Sequence, residues 1–274
     1  MQKTMMITGA SRGFGKIWTE ALLKRGDNVV ATSRNAGGLK TFADRYPKQF
    51  LGLELDVTDR AACFDAVAKG RAHFGGLDVL INNAGYGVFG AIEENSEQEA
   101  RDQFEVNVFG ALWMTQAVLP GFRAQGHGHV VQLSSVLGIN ALPTMGLYCA
   151  TKFAVEGFSE ALHAEVKDFG IHVTLIEPNG FQTDFFGASG IQSQALPAYA
   201  PVKAAFQSSE GAQPGNIGDP HATVEAILGV IDADQPPLRL FLGKLGLPWT
   251  QYTYGQKLAA WEAQKEVSAR AHGK

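Results

Sequence analysis

Thr8-Gly9-Ala10-Ser11-Arg12-Gly13-Phe14-Gly15 follows the apolar run Met5–Thr8 and opens a helical pattern over 14–25. Glycines between a strand and a helix permit a tight turn and let backbone N–H groups approach an anion. The helix start adds partial positive charge, which makes the stretch a candidate cradle for the pyrophosphate of a dinucleotide. Its spacing, Gly-x-x-x-Gly-x-Gly, differs from the commoner Gly-x-Gly-x-x-Gly. The bland alternative is a glycine turn without a ligand; the strand before and the helix after favour the cradle.

The rest of the chain keeps the same rhythm. Asn28–Thr32, Phe50–Leu55, Val79–Asn82, Val130–Ser134, Val173–Glu177 and Leu238–Leu242 read as strands. Helical patterns lie near 59–74, 97–124, 148–168 and 220–233. Strands alternating with helices imply βαβ units and a parallel sheet covered on both faces, and continuous apolar runs such as Val79-Leu80-Ile81 suit such burial. The fold class is α/β with a doubly wound parallel sheet, as one domain over 1–274. Residues 184–219 break the rhythm: they hold no convincing long element yet carry Phe185, Phe186, Ile191, Leu196, Tyr199 and Phe206. A segment this long inside a compact fold reads as a substrate lid. The extension 247–274 begins aromatic and reads as helical from about 255.

Composition bounds the function. The 274 residues are 45% hydrophobic and 18% charged, ordinary for a globular chain. A net charge of -4 gives no electrostatic reason to expect nucleic acid or an anionic membrane. No apolar run reaches the ~18 residues that span a bilayer, and no signal peptide is recognisable. The two cysteines, Cys63 and Cys149, suit a reducing compartment, so the cytoplasm is expected. His127 and His129 lack a third ligand at metal spacing and read as loop residues, so no metal is expected.

Two further motifs carry chemistry. Tyr148-Cys149-Ala150-Thr151-Lys152 puts a phenol and an ammonium four apart on one helix face. A nearby ammonium favours the phenolate, so Lys152 is expected to lower the Tyr148 pKa. Tyr148 then suits proton donation to a carbonyl and proton removal from an alcohol. Ser135 lies 13 residues upstream, at a strand end where parallel sheets form their crevice. Its hydroxyl can donate to an oxygen on which charge builds. Each motif alone is weak: a surface Tyr/Lys pair and a capping serine are the plain alternatives.

Together with Asn82-Asn83-Ala84-Gly85, these motifs make the chain resemble a short-chain dehydrogenase/reductase of the TGxxxGxG and YxxxK group. The likeness covers residues 4 to about 243. It implies a Rossmann fold with strand order 3-2-1-4-5-6-7. It also implies a catalytic tetrad of Asn107, Ser135, Tyr148 and Lys152, with Asn107 ordering a proton-relaying water. Cofactor contacts are implied for Gly9, Ser11, Arg12, Gly13, Phe14, Gly15, Asp56, Val57, Asn83, Ala84, Gly85, Tyr148 and Lys152. Pro178, Phe181 and Thr183 belong to a segment resembling PGxxxT, in which Asn179 replaces the usual Gly; an asparagine tolerates a positive φ there.

The coenzyme is read from the second strand. It ends Ala31-Thr32-Ser33-Arg34-Asn35, without the acid that NAD enzymes of this fold place on the ribose. Arg34, with Arg12, can pair with a 2′-phosphate, so NADP(H) is expected over NAD(H). The expected reaction is reversible hydride transfer between NADP(H) and a carbonyl or secondary alcohol. The substrate is expected to be a medium-sized hydrophobic ketone lined by Leu137, Leu142, Met145 and Phe185. A 3-oxoacyl thioester reductase and a non-catalytic NADP(H)-sensing protein are the alternatives. The family resemblance implies a homodimer or homotetramer through helices 97–124 and 148–168.

Overall fold

Strand β1 (Thr4–Ile7) is buried along its whole length. Its period-two alternation sends Met5 and Ile7 to one apolar layer, with Trp18, Leu22 and Ile227, and Met6 to the other, with Phe122 and Leu162. A strand so covered on both faces belongs in the middle of a parallel sheet. The computed structural model describes residues 2–187, 189–208 and 213–273, with the side chains of Phe186 and Gln207 left out. Met1, Lys274, residues 188 and 209–212 of the expected lid, and the Phe186 ring therefore lie outside the described residues.

The remaining strands are β2 (Asn28–Ser33), β3 (Phe50–Glu54), β4 (Val79–Asn82), β5 (Val88–Phe89), β6 (Gly128–Leu133), β7 (Ile171–Pro178), β8 (Ile191–Gln192) and β9 (Arg239–Leu242). Seven form one sheet in the order β3-β2-β1-β4-β6-β7-β9, every neighbouring pair parallel. With the short pair β5 and β8 set aside, this is the expected order. The chain winds outward from β1 to β3, then crosses back to β4. The crevice of a doubly wound sheet opens at that reversal.

Helices α1 (Gly13–Arg25) and α8 (Val224–Asp232) cover one face. Helices α3 (Arg60–Phe74), α5 (Ala111–Gln125) and α6 (Gly146–Val166) cover the other. The short α2 (Lys40–Arg45) lies between β2 and β3. The single helix expected over 97–124 is interrupted: α4 (Glu97–Phe104) passes through a π-helical stretch, Glu105–Gly110, into α5. His129 is not a loop residue but lies buried in β6, with Nε2 2.9 Å from Thr174 Oγ1.

Two expectations about the C-terminal half need correction. The lid segment contains α7 (Ala200–Gln207) and β8, which pairs with β5. The tail turns helical nine residues earlier than read: α9 spans Gly246–Glu262, followed by α10 (Lys265–Ala271). Pro248 does not prevent the earlier start. It stands in the first turn, where its missing N–H has no helical partner to lose.

Candidate active site

The glycine loop is braced from beneath by β4 and the residues after it. Asn83 Nδ2 donates to Thr8 O (2.8 Å) and Gly9 O (3.1 Å). The Thr8 hydroxyl accepts from the backbone of Asn83 and Ala84, each at 3.0 Å. Gly9 has φ +67, and a Cβ there would strike the Ala84 backbone; one on Gly15 would strike Asn83 and the Gly9 carbonyl. At the helix start, Arg12 makes no side-chain cap, so the first N–H groups of α1 are left for another acceptor. A Cβ on Gly13 would meet only Thr183, at 3.9 Å, so this side of the loop faces open space. These features fit a bound pyrophosphate.

The loop lines a cavity of about 1080 Å³. Ser11, Arg12, Phe14, Arg34, Asp56, Val57, Asn83, Ala84 and Gly85 line it, as do Ser135, Tyr148, Lys152, Pro178, Phe181 and Thr183. The expected substrate residues Leu137, Leu142, Met145 and Phe185 lie on the same cavity. Arg12 and Arg34 are in no ion pair among the described residues. The Asp56 carboxylate is occupied locally, accepting from the Thr58 backbone at 3.0 Å and its hydroxyl at 2.8 Å.

Ser135 lies two residues beyond β6 and caps the short turn Val136–Gly138, its hydroxyl accepting from Leu137 N at 3.1 Å. Tyr148 and Lys152 project from the first turns of α6, and both are buried. Lys152 Nζ donates to Leu133 O at 2.6 Å and lies 5.7 Å from the centre of the Tyr148 ring. Here the expected electrostatics are reversed. Burial pushes the Tyr148 phenol above its ordinary value, and a hydrogen bond with Ser135 only partly opposes that. Burial also pushes the Lys152 ammonium down to about 8, opposed by the charge of Glu156. Desolvation of each group outweighs their mutual help.

Asn107 sits buried in the π-helical stretch and, unlike Ser135, Tyr148 and Lys152, is not among the residues that line the cavity. Its amide closes a ring with Tyr86, accepting from Tyr86 N (3.0 Å) and donating to Tyr86 O (2.9 Å), and it also donates to Thr151 Oγ1 (3.1 Å). Cys149 is buried and its thiol is pushed up by that burial, so it packs rather than reacts. No group of His, Cys, Asp and Glu that could hold a metal is found among the described residues.

Sequence reasoning missed one wall of the cavity. Leu245, Pro248, Trp249 and Tyr252, around the start of α9, line it together with Phe206 of α7, a residue of the expected lid. Trp249 and Phe206 pack on the cluster of Leu137, Met145 and Tyr148. The aromatic opening of the tail was the available signal.

A doubly wound sheet, a braced glycine loop at its switch point and a Ser/Tyr/Lys group facing the same cavity define a dinucleotide-dependent oxidoreductase. A family model described as short chain dehydrogenase matches residues 3–194. Retinol dehydrogenase 8 of Homo sapiens is 34% identical over 256 residues, covering 86% of this chain and 80% of its own. A short-chain dehydrogenase from Streptomyces avermitilis superimposes with a TM-score of 0.90 at 38% identity, covering 99% of each chain. Another from Burkholderia cenocepacia, in complex with NADP, gives 0.75 at 25% identity, covering 95% of this chain and 97% of its own. The chain belongs to the short-chain dehydrogenase/reductase family. No helix among the described residues is long and apolar enough to cross a membrane.

Proposed function

We propose that the protein uses NADPH to reduce the carbonyl of a medium-sized apolar substrate, reversibly, with Tyr148 as the proton donor. One observation carries this reading: Arg12 and Arg34, the Ser135/Tyr148/Lys152 group and the apolar side chains of Leu137, Leu142, Met145, Phe185 and Trp249 all line one cavity. The dinucleotide, when bound, supplies the hydride. Arg34, at the end of a β2 that lacks an acid, holds the 2′-phosphate with Arg12. Ser135 and Tyr148 donate to the substrate oxygen, where negative charge builds. Burial keeps the Tyr148 proton in place at neutral pH, as an acid awaiting a carbonyl requires. Lys152 grips the ribose and stabilises the phenolate left after the proton is given up. Leu137, Leu142, Met145, Phe185 and Trp249 exclude water and select an apolar partner. The free, buried Cys63 and Cys149 agree with a cytoplasmic setting.

Tyr148→Phe tests the assignment. It should lower kcat by about 10²–10⁴ while NADPH affinity stays within a few-fold. A variant retaining more than about a tenth of wild-type kcat would remove Tyr148 from the proton transfer.

A further inference from the structure

Beneath the Tyr148/Lys152 pair lie two buried carboxyl groups that this chemistry does not use. Glu156 follows Lys152 by one turn of α6, and Glu177 stands in β7. The side chain of Glu177 is fully buried and that of Glu156 is 8% exposed. Between them lies Arg239 of β9, its Nε 3.1 Å from Glu156 Oε2 and 3.4 Å from Glu177 Oε1. The outer nitrogen of Arg239 is taken by Glu160, at 2.6 Å.

The two acids are not equivalent. Glu156 accepts a hydrogen bond from Arg239, whereas no donor among the described residues reaches either Glu177 oxygen in good geometry. A wholly buried carboxylate without a donor is costly, and the ordinary resolution is to keep its proton. Burial, the neighbouring Glu156 charge and a hydrogen bond to it push Glu177 up to about 8. Burial raises Glu156 as well, but there Ser134 and Arg239 oppose it, so of the pair Glu177 is the one that keeps the proton and Glu156 the one that ionises.

We propose that Glu156 is a positioning residue for Lys152: held ionised by Arg239 while Glu177 keeps the proton, it supplies the charge that keeps the Lys152 ammonium intact beside the cofactor. Glu156 stands four residues after Lys152 on α6, so the two buried side chains leave the same face of the helix. Gly138, on the turn after β6, has no room for a Cβ because Ser134 Oγ, Glu156 Cγ and the Lys152 carbonyl close on it together. Lys152 in turn donates to Leu133, the residue before Ser134. The groups facing Lys152 are Tyr148 and Glu156 of α6, Leu133 O of β6 and the neutral Asn107. Those facing Glu156 are Ser134, Glu177 of β7 and Arg239 of β9. Among them Glu156 is the ionised group that favours the ammonium, opposing the burial that weakens it.

The inference rests on the proposed role of Lys152 at the ribose, so its test reads cofactor binding rather than turnover. NADPH affinity is titrated by fluorescence from about pH 6 to 10. In the wild type it should fall as Lys152 loses its proton, at or above about 8. Glu156→Gln should move that midpoint down by about one pH unit. Arg239→Gln should move it the same way, because Glu156 then retains a proton, and it reads the effect even where Glu156→Gln fails to fold. Glu177→Gln, neutral for neutral only below about 8 where Glu177 keeps its proton, should move the midpoint less than Glu156→Gln does. An unshifted midpoint in folded Glu156→Gln, or an equal shift in Glu177→Gln, overturns the proposal. A wild type that does not bind NADPH overturns the proposed function and this role with it. Binding with an alkaline midpoint that none of the variants moves overturns the role alone.

Discussion

Arg34 concentrates the coenzyme question in one side chain. It is exposed at the end of β2, lines the cavity, and has no carboxylate partner among the described residues. A charge-assisted hydrogen bond to a phosphate contributes about 1.5–3 kcal/mol. Arg34→Asp should therefore weaken NADPH binding by roughly ten-fold to a hundred-fold and narrow or invert its margin over NADH. Titrating both coenzymes against both proteins checks this, and unchanged NADPH affinity would take Arg34 out of the site. Asn179 shows where reading residues by type misleads. The expected benefit was tolerance of a positive φ, yet the only non-glycine with one among the described residues is Thr144. Asn179 instead works through its amide, donating to Gly180 O at 3.0 Å and Asn216 O at 3.4 Å. Gly243, at φ +94, makes room for it, since a Cβ there would collide with that amide. Tyr148, Lys152, Ser135 and the glycine loop were legible because their chemistry dictates residue type and spacing. The Glu156/Glu177 pair was not, because carboxyls on a helix and a strand meet only once α6 packs on β7.

The lid segment makes the case for elements. It is docked on the body through Glu94, whose side chain is fully buried. Glu94 accepts from Leu196 N and Lys203 Nζ, each at 2.7 Å, and from Ala91 N at 2.8 Å. Lys203 above all, with the two backbone donors, holds its carboxyl below the usual range. β8 adds a second tether by pairing with β5, and Tyr199 donates to Glu93 at 2.6 Å. We expect this segment to close further over substrate, with Glu94 as the latch. Glu94→Gln should speed amide hydrogen exchange over 193–203 in the free protein and raise KM, with protection regained in the presence of NADPH and substrate. Identical exchange in wild type and variant, or no added protection in the ternary complex, would remove the latch. Because the depressed carboxylate helps only while ionised, the latch should loosen as pH falls through the Glu94 pKa. β1 to β4 and their helices were legible because buried apolar runs alternate with amphipathic ones over lengths that discriminate strand from helix. α7, β5 and β8 were not. Each is too short to show a period, and each is held by contacts distant in sequence.

At the scale of the molecule, the sheet spends its apolar surface inward, but one aromatic patch on α4–α5 stays outside. Phe109 is 36% exposed and stacks on Trp113, ring centres 5.8 Å apart. Arg60 of α3 lies over the Trp113 ring at 5.4 Å, giving the patch a cationic rim. On α6, Phe153 is also exposed, although Lys257 of α9 lies 5.9 Å from its ring. An exposed aromatic pair with a charged rim on two long helices is the composition of an association face. We expect copies of the chain to associate through α4–α5 and α6, giving a solution mass two or four times the 29.4 kDa of the chain. Phe109→Glu tests this with little risk to the fold, since the side chain is partly in water in the single chain. In an interface the new carboxylate would be buried without a partner, a cost of several kcal/mol that an association of moderate strength does not survive. Light scattering should then report a monomer with an unchanged circular dichroism spectrum. Trp261→Glu is the comparison: Trp261 is also exposed, but it belongs to α9 and to neither α4–α5 nor α6, so it should leave the mass unchanged. A monomeric wild type, or an oligomer broken by Trp261→Glu and not by Phe109→Glu, would move the association surface off α4–α5.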